Sequence, residues 1–199
     1  MKITLPQTPA NGAQVILPAV QAALQAQVLN IIAPASKTAG TSLSLSGAYP
    51  GYSLTLDNLA VGNEMSYALK GVWHHLVFIN GNVVADAQLI WRDDKMEFSA
   101  LNCGPMAASI VDALNMAEKA SVLRAKSVEL RLLSVPALHV VAVWLHGEDE
   151  DRFIPVAPTP HTLMPMQIID KERLFSILIP EAQALKQKFD ADTTGTRGN

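Results

Sequence analysis

Residues 72–79 read VWHHLVFI, residues 83–91 read VVADAQLIW, and Asn80-Gly81-Asn82 stands between them. Both runs are rich in β-branched and aromatic side chains. An Asn-Gly pair tolerates positive φ at both positions, so a tight hairpin should join the runs. That places an antiparallel pair at the centre of the chain. RDDK (92–95) then turns the chain into MEFSAL (96–101), which extends the pair to an antiparallel meander. Upstream, TSLSLSG, YSLTLDN and NEMSYALKG alternate apolar and polar residues: Leu43 and Leu45; Tyr52, Leu54 and Leu56; Met65, Tyr67 and Leu69. Strict alternation predicts strands with one buried and one wet face.

Helical signals flank this β-rich region. In GPMAASIVDALNMAEKASVLRAK (104–126), Gly104 suits the cap and Pro105 the first helical position. Ile110, Val111, Leu114, Ala117 and Val122 form its expected buried stripe. SVELRLLSV (127–135) and LHVVAVWLH (138–146) read as strands, the second apolar enough for burial on both faces. GEDED (147–151) turns into a partner strand, RFIPVAP. A helix capped by Asp170 follows, and Pro180 should open a last one. ILPAVQAALQAQVLNIIAPAS (16–36) fits either a helix with Pro18 in its first turn or a strand over AQVLNII; helix is the preferred reading. The expected fold class is α+β. A low-charge N-terminal segment (1–40) precedes an antiparallel β-rich region (41–102), a small barrel or curled sheet. A helix–strand–hairpin–helix unit (103–190) packs on it, and a disordered tail (191–199) ends the chain.

Charge narrows the function classes. Charged residues make up 17% of the chain, against about 25% in typical soluble domains. Up to Asn63 they are only Lys2, Lys37 and Asp57. The net charge of −3 supplies no basic field for nucleic acid or acidic lipid. A single cysteine excludes an internal disulfide and a four-cysteine zinc site. No apolar run reaches the length of a membrane span, and the start lacks the apolar core of a secretory signal. A cytoplasmic location is therefore expected, with export by a signal-less route left open.

The stretch that looks most like chemistry is NCGPMAA (102–108). It resembles the motif around the nucleophile of papain-like cysteine peptidases, in particular the bacteriocin-processing branch. There a cysteine followed by Gly-Pro begins a helix. The resemblance implies Cys103 as nucleophile, activated at a helix N-terminus, and His139 on a later strand as general base. It covers about ten residues of motif plus one hairpin. The family's Gln shortly before the cysteine is absent; the nearest is Gln88, on another strand. RFIPVAP offers no Asp or Asn to orient the histidine. Pro105 also removes one N–H from the helix start. Cys103 is therefore expected to be a structural thiol, with the Cys103–His139 hydrolase as the alternative.

The other polar residues bring no recognisable motif. His74 and His75 are adjacent on a strand, so they face opposite ways and cannot share a metal without a bulge. His146 and His161 could join a site only through tertiary contact. GEDED lacks the alternating ligands and glycine of a calcium loop. No phosphate loop, dinucleotide fingerprint or Gly-x-Ser-x-Gly elbow occurs. Trp73, Trp91 and Trp144 sit beside apolar neighbours and are expected in the core, with partner anchors as the other reading. No cofactor or metal is expected. The preferred function is a non-enzymatic binding or assembly protein that meets a protein partner or a second copy of itself through a low-charge apolar surface. A carrier with a β-walled apolar pocket for an unknown small molecule is a third class.

Overall fold

A computed structural model of the chain describes residues 1–6, 11–26, 29, 42–93, 95–124, 126–160 and 162–195, with side chains to residue 191. The central hairpin forms as expected. Strands β4 (Leu69–Ile79), β5 (Asn82–Arg92) and β6 (Lys95–Asn102) run antiparallel in order. Asn80 and Gly81 both take positive φ, 50° and 79°, as a two-residue turn that continues the strand twist requires. The register is not uniform. A bulge between Val77 and Phe78 shifts β5 by one residue, and another between Gln88 and Leu89 leaves Ser99 of β6 without a partner.

β3 (Tyr49–Ser53) joins the halves of the chain. It pairs antiparallel with β4 on one side and parallel with β7 (Ser127–Val135) on the other. Beyond β7 come β8 (Val140–His146), β9 (Asp151–Val156) and the two-residue β10 (Ile169–Asp170), each antiparallel to the last. Short β1 (Lys2–Thr4) lies parallel beside β7, and β2 (Leu43–Leu45) pairs with β4. The ten strands among the described residues make one sheet, ordered β10-β9-β8-β7-β3-β4-β5-β6 along its main path. The fold is α+β, and the sheet stays open rather than closing into a barrel.

Alternation along the strands splits the core between two faces. On one face helix α3 (Pro105–Lys119) lays Ala107, Ile110, Ala113 and Ala117 over Leu76, Leu132, Val143 and Ile154. On the other, helix α1 (Gly12–Gln25) covers Trp73, Val77, Ala87 and Leu89 with Ile16 and Val20. Next to it, helices α2 (Leu56–Ala60) and α4 (Lys171–Gly195) bring Leu59, Leu174, Phe175 and Leu178 over Leu133, Ala142, Trp144 and Phe153. β8 is thus packed from both sides, as its continuous apolar run predicts.

Several local expectations are corrected. The alternation over YSLTLDN ends at Ser53, where the Thr55 side chain accepts from the Asn58 N–H at 3.3 Å and caps α2. Over NEMSYALKG, Met65–Tyr67 form a 3-10 turn and the strand starts at Leu69. α1 begins at Gly12, so Pro18 lies mid-helix; the stripe Ile16–Val20 outweighs the bond that proline forgoes. The expected helix or strand beyond Ala26 falls almost wholly outside the described residues. α3 ends at Lys119, because Ala120 is extended; the following turn buries Leu123 and leaves Val122 47% exposed. Pro180 does not open a new helix. It lies inside α4, anchored on both sides by buried Leu178 and Ala182, and α4 runs on to Gly195 through part of the expected tail.

Candidate functional site

Cys103 follows the last residue of β6, and Gly104 caps α3 with Pro105 at the first helical position, as the motif suggests. The thiol is half-buried beside the α1 core, and its nearest polar partner is the Leu101 carbonyl, at 3.9 Å. Burial pushes its pKa up, so the nearby helix start does not win. His139 sits exposed in the turn between β7 and β8, in the left-handed region at φ 53°. Strands β3, β4 and β5 lie between β6 and β7, a spacing of roughly 19 Å at about 4.8 Å per strand. The structure does not bring Cys103 and His139 together. Alkylation of Cys103 should therefore be slow at pH 6 and rise only above the ordinary thiol range of about 8.5. Fast modification at pH 6 that His139→Ala abolishes would put the nucleophile reading ahead of the structural one.

His74 and His75 face opposite ways, as alternation requires, yet both are buried. His74 Nδ1 donates to Asp86, 2.9 and 3.0 Å from its two carboxyl oxygens. Asp86 is fully buried and gathers further donors: Gln88 Nε2 at 3.4 Å, Asn102 Nδ2 at 3.5 Å and the Tyr49 hydroxyl at 3.5 Å. Tyr49 stacks on the His74 ring, with centroids 5.4 Å apart at 14°. Burial, then the Asp86 charge, hold the Tyr49 phenol well above its ordinary range, so it stays a donor. The outer edge of the His74 ring lies on Gly51, where a Cβ would stand 2.5 Å from Nε2. No substrate atom fits between them. The cluster is built like a histidine–carboxylate dyad, but it is closed by its own backbone and acts as an internal anchor.

His75 donates from Nδ1 to the Ser46 carbonyl at 2.9 Å, and its Nε2 approaches Gly12. Burial lowers its pKa; the Ser46 bond and Asp86 oppose that, and His74 adds to it. A depressed histidine contributes stability above its unfolded pKa of about 6.5 and loses it as pH falls through the folded value. Unfolding free energy should therefore drop as pH falls below about 6.5, with a slope of at most roughly 1.4 kcal/mol per pH unit from this group. His75→Gln should flatten that slope in urea titrations. An unchanged slope would assign the acid sensitivity elsewhere.

A third arrangement lies at the β8–β9 hairpin. Asp151 accepts from His146 Nδ1 at 2.7 Å and from Trp144 Nε1 at 2.8 Å. Arg131 stacks over Trp144, with its guanidinium carbon 4.6 Å from the ring centroid, and binds Glu129 at 2.6 Å. Beside the hairpin is an open cleft of about 530 Å³, edged by Thr4, Lys126, Glu129, His146, Glu150 and Arg152. The GEDED tip is tied down at one residue: Glu150 bonds both Lys126 and Arg152. The cleft's cations are thereby neutralised before any ligand arrives. His161 lies outside the described residues. Among the described residues no group of three or more His, Cys, Asp or Glu side chains could hold a metal.

The chain matches no protein-family model, no curated protein and no solved structure.

The remaining feature is an edge. β6 closes the sheet at one side, and no described residue pairs with its outer backbone. On the neighbouring strand β5, Trp91 is 57% exposed. Trp73 and Trp144 are core residues, as expected; Trp91 is not. In the register of β5 and β6, Trp91 stands directly opposite Met96. Sequence reading missed this edge because which strand ends a sheet depends on distant pairings.

Proposed function

We propose that the protein is a non-enzymatic binding or assembly protein that receives an additional strand along β6. The observation that carries this reading is an eight-residue edge strand whose outer side no described residue pairs, with an exposed tryptophan one strand in from it. Natural proteins usually blunt such edges with charge, bulges or a covering element. β6 has a lysine at its start and a bulge at Ser99, but the segment between them is regular. Strand addition takes affinity from main-chain hydrogen bonds and specificity from side chains on alternate positions. Trp91 is the residue type that anchors interfaces. No helix among the described residues is long and apolar enough to cross a membrane.

The test uses Trp91→Lys, a surface change. The unaltered chain should associate stably with itself or with one stoichiometric partner, and the variant should lose that association at unchanged thermal stability. A chain that stays monomeric at its highest soluble concentration, and binds the same set of host proteins as the variant, would remove the proposal.

A further inference from the structure

We infer that the strand received by β6 is β6 of a second copy, antiparallel about a two-fold axis at Met96, with Lys95 facing the partner's Glu97. This deepens the strand-addition reading and rests on it. Residues directly opposite in an antiparallel pair share a face, so a self-paired strand turns about one of its residues. The bulge at Ser99 limits the regular segment to Lys95–Phe98.

Charge selects the axis. Centred on Glu97, the pairing sets two carboxylates against each other, which is destabilising. Centred on Phe98, it leaves Lys95 opposite the partner's Leu101 and runs both copies through the bulge. Centred on Met96, it sets Lys95 against the partner's Glu97, and symmetry makes the same contact twice. Lys95 is exposed and has no ion pair among the described residues. Glu97 is half-buried, with Arg92 at 3.3 Å on its inner side. Arg92 stands opposite Lys95 and reaches Glu97 only diagonally, so the outer side of Glu97 is open to the partner's lysine. On the opposite face, the same axis lines up Trp91, Met96, the partner's Met96 and the partner's Trp91 across four strands. Met96 is 9% exposed, so the apolar surface still open in that row belongs to the two tryptophans, each 57% exposed and one strand in from the seam. A lone edge lysine ordinarily discourages such pairing; here the neighbouring glutamate makes one register favourable.

The experiment is sedimentation equilibrium on the full chain and on Lys95→Glu, Glu97→Lys and the double variant, with thermal unfolding as the folding control. The unaltered chain should be a dimer. Each single reversal should raise the dissociation constant at least about tenfold, because symmetry turns two attractions into two repulsions. The double variant should return to within about threefold of the original. Carbodiimide treatment, which joins an amine to a carboxylate in contact, should link Lys95 of one copy to Glu97 of the other. A monomeric chain, or a dimer indifferent to the single reversals and without that cross-link, overturns the inference. If the chain is monomeric but holds a different protein that Trp91→Lys releases, the edge reading stands and only the second copy falls. A dimer indifferent to Lys95→Glu and Trp91→Lys alike takes both down.

Discussion

Asp86→Ala should cost about 3–5 kcal/mol of stability, the largest single effect expected outside the apolar core. Asp86 is fully buried, and four side chains donate to its two oxygens. Gln88 and Asn102 are half-exposed and can turn to water. His74 and Tyr49 cannot, since both are buried, and an unsatisfied buried donor costs about 1–3 kcal/mol. For a chain of this size the melting temperature should fall by roughly 6–20 °C. Tyr49→Phe, which removes one long bond of 3.5 Å and keeps the stack on His74, should cost only about 1 kcal/mol. Urea unfolding of both variants checks this. A loss below about 1 kcal/mol in Asp86→Ala would mean that water replaces the carboxylate and that the network is not an anchor.

The Asp86–His74 pair also marks where sequence reading stops. The Asn80-Gly81 hairpin is legible because a two-residue turn needs positive φ twice and few sequences allow it. Counted straight from that turn, Asp86 falls opposite His75. The bulge near Val77 moves it opposite Leu76 and onto the face of His74. One inserted residue thus decides which histidine meets the carboxylate, and nothing local in VVADAQLIW announces it. The start of α3 is legible for the same kind of reason as the hairpin: Gly104-Pro105 fixes the backbone locally. The parallel pairing of β3 with β7 is not, because it joins residues about eighty positions apart. That pairing also recasts the scarcity of charge before Asn63. Tyr49, Pro50 and Gly51 are buried between two strands, so part of the low charge reflects a sheet interior rather than an interface. The case for association therefore rests on β6 and Trp91, not on composition. Cys103 stands out by motif, yet a motif supplies no convergence, and the three strands between β6 and β7 keep His139 away.

Gly51→Ala should destabilise by about 1–3 kcal/mol, although alanine suits a strand better than glycine does. The backbone there is not left-handed, so conformation alone permits a side chain. Space does not. A Cβ would meet His74 Nε2 at 2.5 Å, His74 Cδ2 at 2.9 Å and Val72 Cγ2 at 3.0 Å. The His74 ring cannot simply swing aside, because Nδ1 is held by both Asp86 oxygens and the ring is stacked on Tyr49. Moving it breaks the anchor; leaving it forces strands β3 and β4 apart at the point where β3 joins the two halves of the sheet. Gly71, on the neighbouring strand β4, is the control: a Cβ there meets nothing within 4 Å, so Gly71→Ala should be neutral or stabilise by a few tenths of a kcal/mol. In a His74→Ala background, Gly51→Ala should lose most of its cost, since the added methyl then occupies the space the ring has left. Equal melting temperatures for Gly51→Ala and Gly71→Ala, with no coupling to His74, would show that the ring relaxes freely and that the closeness of β3 to His74 is incidental.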